Sequence, residues 1–583
     1  MVGASTSRTR LHASKSKILS SARAKKPFKA VDTNPAAYDK KDPFAAVDAL
    51  RKLLTALPTK PGGCQLRMTE EEHKLSLHLL TIVEPFVGLS PSQRGLIRQP
   101  TENLDEIVSY IDSKRDLLSL ALSCKRMFSI VFPRHFEYRV IRCKISNIAV
   151  WSHFASNYVL AANVRCLEIL DERTAEAPCT PSDILASDTE LESSDDELTM
   201  HAKQGRLFAS ALSKMTRLTA FVWSCNHSLI SLHSIWHTIL KCQSLRAVEI
   251  HDNLVFSPTT EESIPCRTAR PRILPSLSSV SVHNFRKGYG QNKTPELNRI
   301  TEMLHQCPNL EFPKELNVDY IAQSGFSSPS ADNFFMYGRW PSLRALNLTH
   351  LTCSLDGFDA ASTFLAAHIN IEVLHLDVGP RANVAGLVLA PGTLPRLREL
   401  KSSKEVACAI MTCQSGSRPL ETIKGVRLTG QHRDTTFFEA LQRYSIKRLE
   451  LVGYGEFEDI RKLVDRVPKL TWLDVGKKGS MSAHKGPLTI SNVVDWANLL
   501  EQLPDLTAFH GVPFFYEVAT GPMSSVSLSD RSRIKKNEEV ASVLAWKCPN
   551  LRRLDHWEEQ AGKVIVLLKD GEKSKWEVRR VKV

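Results

Sequence analysis

Nineteen histidines and thirteen cysteines are the side chains of this chain best able to hold a metal ion or attack an electrophile. Their spacing organises neither chemistry. No two cysteines stand as C-x-x-C, and no Cys/His/Asp group has the ligand spacing of a zinc site. The histidine pairs that come nearest to a ligand set, His73 with His78 and His350 with His375, read as surface histidines. A phosphate loop G-x-x-x-x-G-K-[ST], an H-E-x-x-H helix and a G-x-S-x-G elbow are all missing. The expectation is a chain with no catalytic residue, no metal and no cofactor.

Recognition chemistry remains, and it needs elements that hold side chains in order. From about Val164 onward an apolar residue, two others, an apolar residue, one other and an apolar residue recur. Strong copies are Val164/Leu167/Ile169, Leu245/Val248/Ile250, Leu277/Val280/Val282, Leu343/Leu346/Leu348, Ile371/Leu374/Leu376, Ile446/Leu449/Leu451 and Leu470/Leu473/Val475. Weaker copies begin at Leu218, Leu310, Leu397, Leu420, Leu506 and Leu551. The last two apolar positions are two apart, so both point to one face of a short strand, and the first closes the core at the preceding turn. Helical stretches such as Leu232 to Cys242 and Val493 to Leu503 lie between copies. A strand and a helix cannot bury their apolar faces alone, so the units must stack. This is the pattern of a leucine-rich repeat. A doubly wound α/β domain also alternates strands and helices, but no full Gly-rich phosphate loop follows any strand here.

In such an array the residues flanking the two apolar strand positions lie on the concave face, and these include Glu249, His251, His283, Asp474, His510 and Asp555. Aromatic and arginine side chains are the usual anchors of interfaces. Arg448, Trp472 and Arg553 are therefore the expected substrate-binding residues.

Before the repeats, Pro100 to Arg142 is a different kind of segment. Leu104, Ile107, Val108 and Ile111 fall on one face of a helix. Ser113 and Asp116 have capping-box spacing ahead of a second apolar run, whose Leu117, Leu118, Leu122, Met127 and Phe128 leave hardly any polar side. So short a segment cannot bury that much apolar surface by itself.

Composition bounds the rest. The 583 residues carry a net charge of +13, but eight Lys or Arg and no acid lie before Asp32, so a basic tail holds most of the excess. That tail could also be a transit peptide or, at Arg23 to Lys29, a nuclear-localisation patch. No RNP or zinc-finger pattern accompanies it, and nucleic acid is not an expected partner. No apolar run reaches the roughly 18 residues of a membrane span. Unpaired cysteines beside apolar residues point to a reducing compartment, cytoplasmic and/or nuclear.

The Pro100 to Arg142 segment resembles an F-box. The matching positions are Pro100, Glu102, Leu104, Ile107, Ile111, Asp116, Leu117, Leu118, Ala121, Cys124 and Lys125, with Gln99 where that family usually has Leu and Met127 where many members have Trp. An F-box followed by leucine-rich repeats is a recurring arrangement. The resemblance implies a substrate receptor of an SCF-type cullin–RING ubiquitin ligase, docking on the Skp-family adaptor through Pro100, Leu104, Ile107, Ile111, Leu117, Leu118, Cys124 and Met127. The repeats would bind a protein substrate. A non-catalytic repeat scaffold unconnected with ubiquitination is the alternative. The expected fold is α/β: a disordered basic tail (1–40), a helical lead-in (41–96), the F-box (97–143), an irregular leucine-rich-repeat solenoid (144–560) with a disordered acidic insertion at 177–200, and a β-hairpin C-terminal cap (561–583).

Overall fold

Every copy of the apolar repeat that falls among the described residues forms a strand. The computed structural model describes residues 31–56, 68–86, 96–184, 197–226, 230, 232–258, 277–285, 292–305, 315–321, 325, 327–378, 387–413, 418–430, 433–478, 490–518, 527–558, 562–570 and 573–580. It divides into two units, Met1–Leu104 and Asp105–Val583.

In the first unit, α1 (Pro43–Ala56) and α2 (Glu70–Val83) bury Ala46, Ala49, Leu53, Leu75, Leu79 and Ile82 in a small core of their own. Thr69 opens α2 with a reciprocal capping box: its hydroxyl accepts from the Glu72 amide while the Glu72 carboxylate accepts from the Thr69 amide. Val31 and Tyr38 pack against this core, and a short 3-10 turn, Pro35–Ala37, is capped by Asn34. Val31 to Tyr38, placed by composition in the tail, thus belong with the helical lead-in, and residues 1–30 lie outside the described residues.

Helix α3 (Thr101–Ser109) spans the division between the units, and α4 (Lys114–Ala121) and α5 (Lys125–Val131) follow it in the second. The Ser113 hydroxyl caps α4 at the Asp116 amide, as its spacing predicts. The first strand comes sooner than the sequence pattern indicates. β1 (Val140–Lys144) buries Tyr138, Ile141 and Cys143 at the three repeat positions. Tyr and Cys in place of Leu hid this copy, so residues 140–143 belong to the sheet and not to the helical cluster.

From β1 the strands add one after another in chain order, all parallel. They are β2 (Cys166–Leu170), β3 (Ala220–Ser224), β4 (Ala247–His251), β5 (Ser279–His283), β6 (Glu315–Asp319), β7 (Ala345–Leu351), β8 (Val373–Val378) and β9 (Glu399–Ser402). The run continues with β10 (Thr422–Arg427), β11 (Arg448–Tyr454), β12 (Trp472–Asp474), the two-residue β13 (Lys477–Lys478) beside β11, then β14 (Ala508–His510) and β15 (Arg553–Asp555). An unbroken sequential order leaves no reversal point, so the doubly wound alternative is excluded. The architecture is an open, solenoid-like α/β stack. One copy was mis-set: Leu310 lies outside the described residues, and the strand there uses Leu316 and Val318, further along than a start at Leu310 implies.

Alternation explains the two faces. Leu167, Ile169, Val248, Ile250, Leu346, Leu348, Leu449 and Leu473 point inward and are buried, whereas the residues between them are partly exposed. Full burial of each such side chain stabilises the fold by about 1.5–3 kcal/mol. Intervening helices cover the apolar side, among them α6 (Ile148–Ser156), α7 (Tyr158–Ala161), α8 (Glu197–Lys214) and α9 (Leu232–Ile239). Between neighbouring units a single carbonyl often accepts two successive amides. Arg398 O takes Glu421 N and Thr422 N, Glu421 O takes Lys447 N and Arg448 N, and Lys447 O takes Thr471 N and Trp472 N.

Part of the stretch expected as a disordered acidic insertion is structured. Cys179 bridges to Arg142, the Glu137 carboxylate accepts from Ser182 N and Oγ, and α8 starts at Glu197, leaving only 185–196 outside the described residues. At the far end, β16 (Lys563–Asp570) pairs antiparallel with β15, and β17 (Lys573–Arg580) pairs antiparallel with β16. Among the described residues no helix is long and apolar enough to cross a membrane.

Candidate functional site

Parallel register gathers the three expected anchors. Arg448 stands opposite Trp472, Trp472 opposite Ala508, and Ala508 opposite Arg553. The small Ala508 leaves a gap between the larger residues. Across it the Arg553 guanidinium lies 5.7 Å from the Trp472 ring centre, while Arg448 lies 4.3 Å from it. Each such cation–π contact is worth about 0.5–1 kcal/mol at a partly exposed site. Arg448 Nε also donates to Glu450 Oε1 at 2.6 Å, which orients the guanidinium against the ring.

The next row towards the strand ends carries Glu450, Asp474 and His510 in register. The His510 ring lies 4.8 Å from Trp472, and its Nδ1 is 2.5 Å from Asp555 Oδ1. Two glycines shape this edge. Gly476 (φ +63°) and Gly511 (φ +96°) turn the chain where a Cβ would strike backbone atoms, and their amides donate to Asp474 and Asp555 respectively. Burial pushes the Asp474 carboxyl above its ordinary range. The result is an indole flanked by guanidinium groups and bordered by acids.

A second group occupies the earlier strands. Glu249 and His251 on β4 and His283 on β5 bring one ligating atom each within 4.8 Å of one another. His251 and His283 face each other in register with stacked rings, 4.7 Å between centres. Further along, His375 Nε2 and Lys424 Nζ approach the same oxygen of Glu399, at 2.8 and 2.7 Å. Sequence spacing missed the Glu249 group because its members belong to different repeats. The available signal was Glu-x-His on one strand with a histidine at the equivalent position of the next. His73 and His78 lie on α2, far along the chain from this face, and His350 joins Asp319 instead of pairing with His375.

The helical cluster sorts its apolar residues into two sets. Leu104, Leu117 and Met127, expected among the adaptor-binding residues, are buried within the protein, because alternate turns of short helices must close the interior first. Ile111 and Cys124 are half-buried; Pro100, Ile107 and Leu118 are exposed. Tyr110, Leu122 (74% exposed) and Phe128 (50% exposed) join the exposed set. Cys124 has a structural task as well: its Sγ accepts from the Met127 amide and caps α5.

Two buried arginines fasten these helices to the first strands. Arg139, fully buried, donates to the carbonyls of Val108, Ser109, Ile111 and Asn163. Burial lowers its pKa to about 10, which still leaves it charged at neutral pH. Arg165 donates to Ser109 O and pairs with Asp112. Neither a known family model nor a curated protein matches the chain.

Proposed function

We propose that this chain is the substrate-recognition subunit of an SCF-type cullin–RING ubiquitin ligase. It docks on the Skp-family adaptor through α3 to α5 and presents the open face of the sheet to a protein substrate. The observation that carries this reading is the exposure of Ile107, Leu118, Leu122 and Phe128 on three consecutive helices whose opposite sides are buried. Scattered exposed apolar residues are ordinary, but several large ones within so short a segment mark a contact surface. The segment is also the one that resembles an F-box.

In this reading the chain transfers nothing itself. Arg448, Trp472 and Arg553 anchor the substrate, while the RING partner directs ubiquitin transfer. The β16–β17 pair then serves as the C-terminal cap that a stack of repeats requires. Cys143, Cys242, Cys353 and Cys548 are buried free thiols, in keeping with a cytoplasmic or nuclear ligase.

A non-catalytic scaffold is the second reading. It is favoured by the buried arginines, since carbonyls of α3 tied to β1 and β2 are what a purely structural N-terminal cap would need. Adaptor capture separates the two. Wild type should retain a purified Skp-family adaptor, and Leu118→Glu with Leu122→Glu should weaken capture by about a hundredfold, with Tm moving by no more than about 2 °C. Failure of wild type to bind would leave the scaffold reading.

A further inference from the structure

We propose that Glu249, His251 and His283 form a binding site for a divalent transition-metal ion of the zinc class on the open face of β4 and β5. This does not depend on the ligase reading. Two imidazoles and a carboxylate are a donor set of the kind such ions take, at about 2.0–2.2 Å from each ligand atom. That geometry requires donor atoms roughly 3–3.5 Å apart. Here they lie within 4.8 Å before any ion binds.

Small adjustments complete the site. His251 Nε2 and Glu249 Oε1 stand 2.7 Å apart, so a proton shared between them occupies the place an ion would take. The His251 and His283 rings are stacked, and each must turn about its Cβ–Cγ bond to aim an in-plane lone pair at a common point. Both are partly exposed and have room to do so.

The surroundings of His283 point the same way. Asp319 lies directly across from it in register on β6, with Oδ2 3.9 Å from His283 Nδ1. A Thr349 hydroxyl and His350 Nδ1 hold that carboxylate in place. A small approach would bring this carboxylate within hydrogen-bond reach of His283 Nδ1, where it would keep the proton and leave Nε2 as the ligand atom, the arrangement usual behind metal-bound histidines.

Asn317 supplies the remaining clue. Its Nδ2 lies 3.5 Å from His283 Nε2, while its Oδ1 is buried with no hydrogen-bond partner. Turning the amide over, which its shape permits, would put the oxygen beside the ligand atom, where a bound ion would satisfy it. Glu249 and Asp319 together balance the two charges of the ion. Three protein ligands with at most one further oxygen leave room for solvent or for a donor from a bound partner.

Titration of the full-length protein with Co²⁺, read from its visible d–d absorption, tests the site. One equivalent should bind, without a thiolate charge-transfer band, and be displaced by Zn²⁺. Glu249→Gln, His251→Ala and His283→Ala should each weaken binding at least about tenfold, and Asp319→Asn by about tenfold with all ligands still present. Circular dichroism of each variant should match wild type, since the altered side chains are partly exposed. Absence of saturable binding up to about 1 mM Co²⁺ would overturn the proposal. So would a cobalt site that survives the His251→Ala, His283→Ala double variant, because the ion would then lie elsewhere.

Discussion

The helical cluster and the open face of the sheet are both surfaces the chain leaves to solvent, yet their chemistry is opposite. Within 22 residues the helices expose Ile107, Tyr110, Leu118, Leu122 and Phe128. Along the open strand face, among the described residues, Val452 is the large apolar side chain that stands clearly out to solvent. There the exposed positions are instead occupied by polar and charged groups that answer one another: Arg142 with Glu168, Lys424 and His375 with Glu399, Arg448 with Glu450, His510 with Asp555. An apolar surface favours one durable contact, because its stabilisation scales with area removed from water. A mutually paired polar surface binds only a partner that can replace those pairs, which gives selectivity more than strength. On the proposed reading, one chain thus offers a permanent handle and a discriminating face.

The comparison rests on the helices being held rigidly, and Arg139→Ala is the strongest way to break it. The substitution removes a donor from four carbonyls, of which Val108 O keeps the Ile111 amide and Ser109 O keeps Arg165, and it empties the buried space the guanidinium fills. Stability should fall by about 3–5 kcal/mol in denaturant unfolding, and adaptor capture should fall with it. A small loss would mean that the handle is not fastened to the sheet through this guanidinium.

Neighbouring residues on one strand sharpen the contrast between inside and outside. Leu473 faces the core with no exposure, whereas Trp472 beside it faces out. Leu473→Ala should cost about 2–5 kcal/mol. Trp472→Ala removes two cation–π contacts and should cost only about 1–2 kcal/mol, although the residue is far larger. Equal costs in urea unfolding would show that the indole is a structural residue and not an anchor held ready for a partner.

Much of the fold could be read from local spacing. Period-two apolar residues set the strands, and the short intervals between copies kept neighbours in chain order. The reading failed where another residue type took a leucine position, as Tyr138 does just before β1 and Cys143 within it. It also failed at Leu310, where a leucine three places early drew the register away from Leu316. The Arg448, Trp472 and Arg553 grouping was legible because all three occupy the same strand position. The small Ala508 that lets Arg553 reach the indole was not, since a gap has no signal of its own. In the helices, spacing identified apolar residues but not which of them the interior would claim. Leu117 and Leu118 look equivalent in sequence, and only packing separates the buried one from the exposed one.

Acid titration gives the mildest test, because it acts on the polar face and leaves an apolar contact nearly untouched. Glu399, with its carboxylate oxygen between His375 and Lys424, has its pKa lowered from 4.5 to about 2, chiefly by the hydrogen bond from His375. Since the folded-state value lies below the unfolded one, the contribution is complete above about pH 4.5 and disappears as the pH falls through that value towards 2. The side chain is a quarter exposed, so screening reduces the effect to on the order of 1–2 kcal/mol. Glu399→Gln should therefore lower stability at neutral pH by that amount and flatten the stability profile between about pH 4.5 and 2, as measured by urea unfolding at each pH. Adaptor affinity of the variant, carried by Leu118, Leu122 and their apolar neighbours, should stay at the wild-type level. A parallel loss of both would mean that the polar face and the handle are coupled and do not act as separate surfaces.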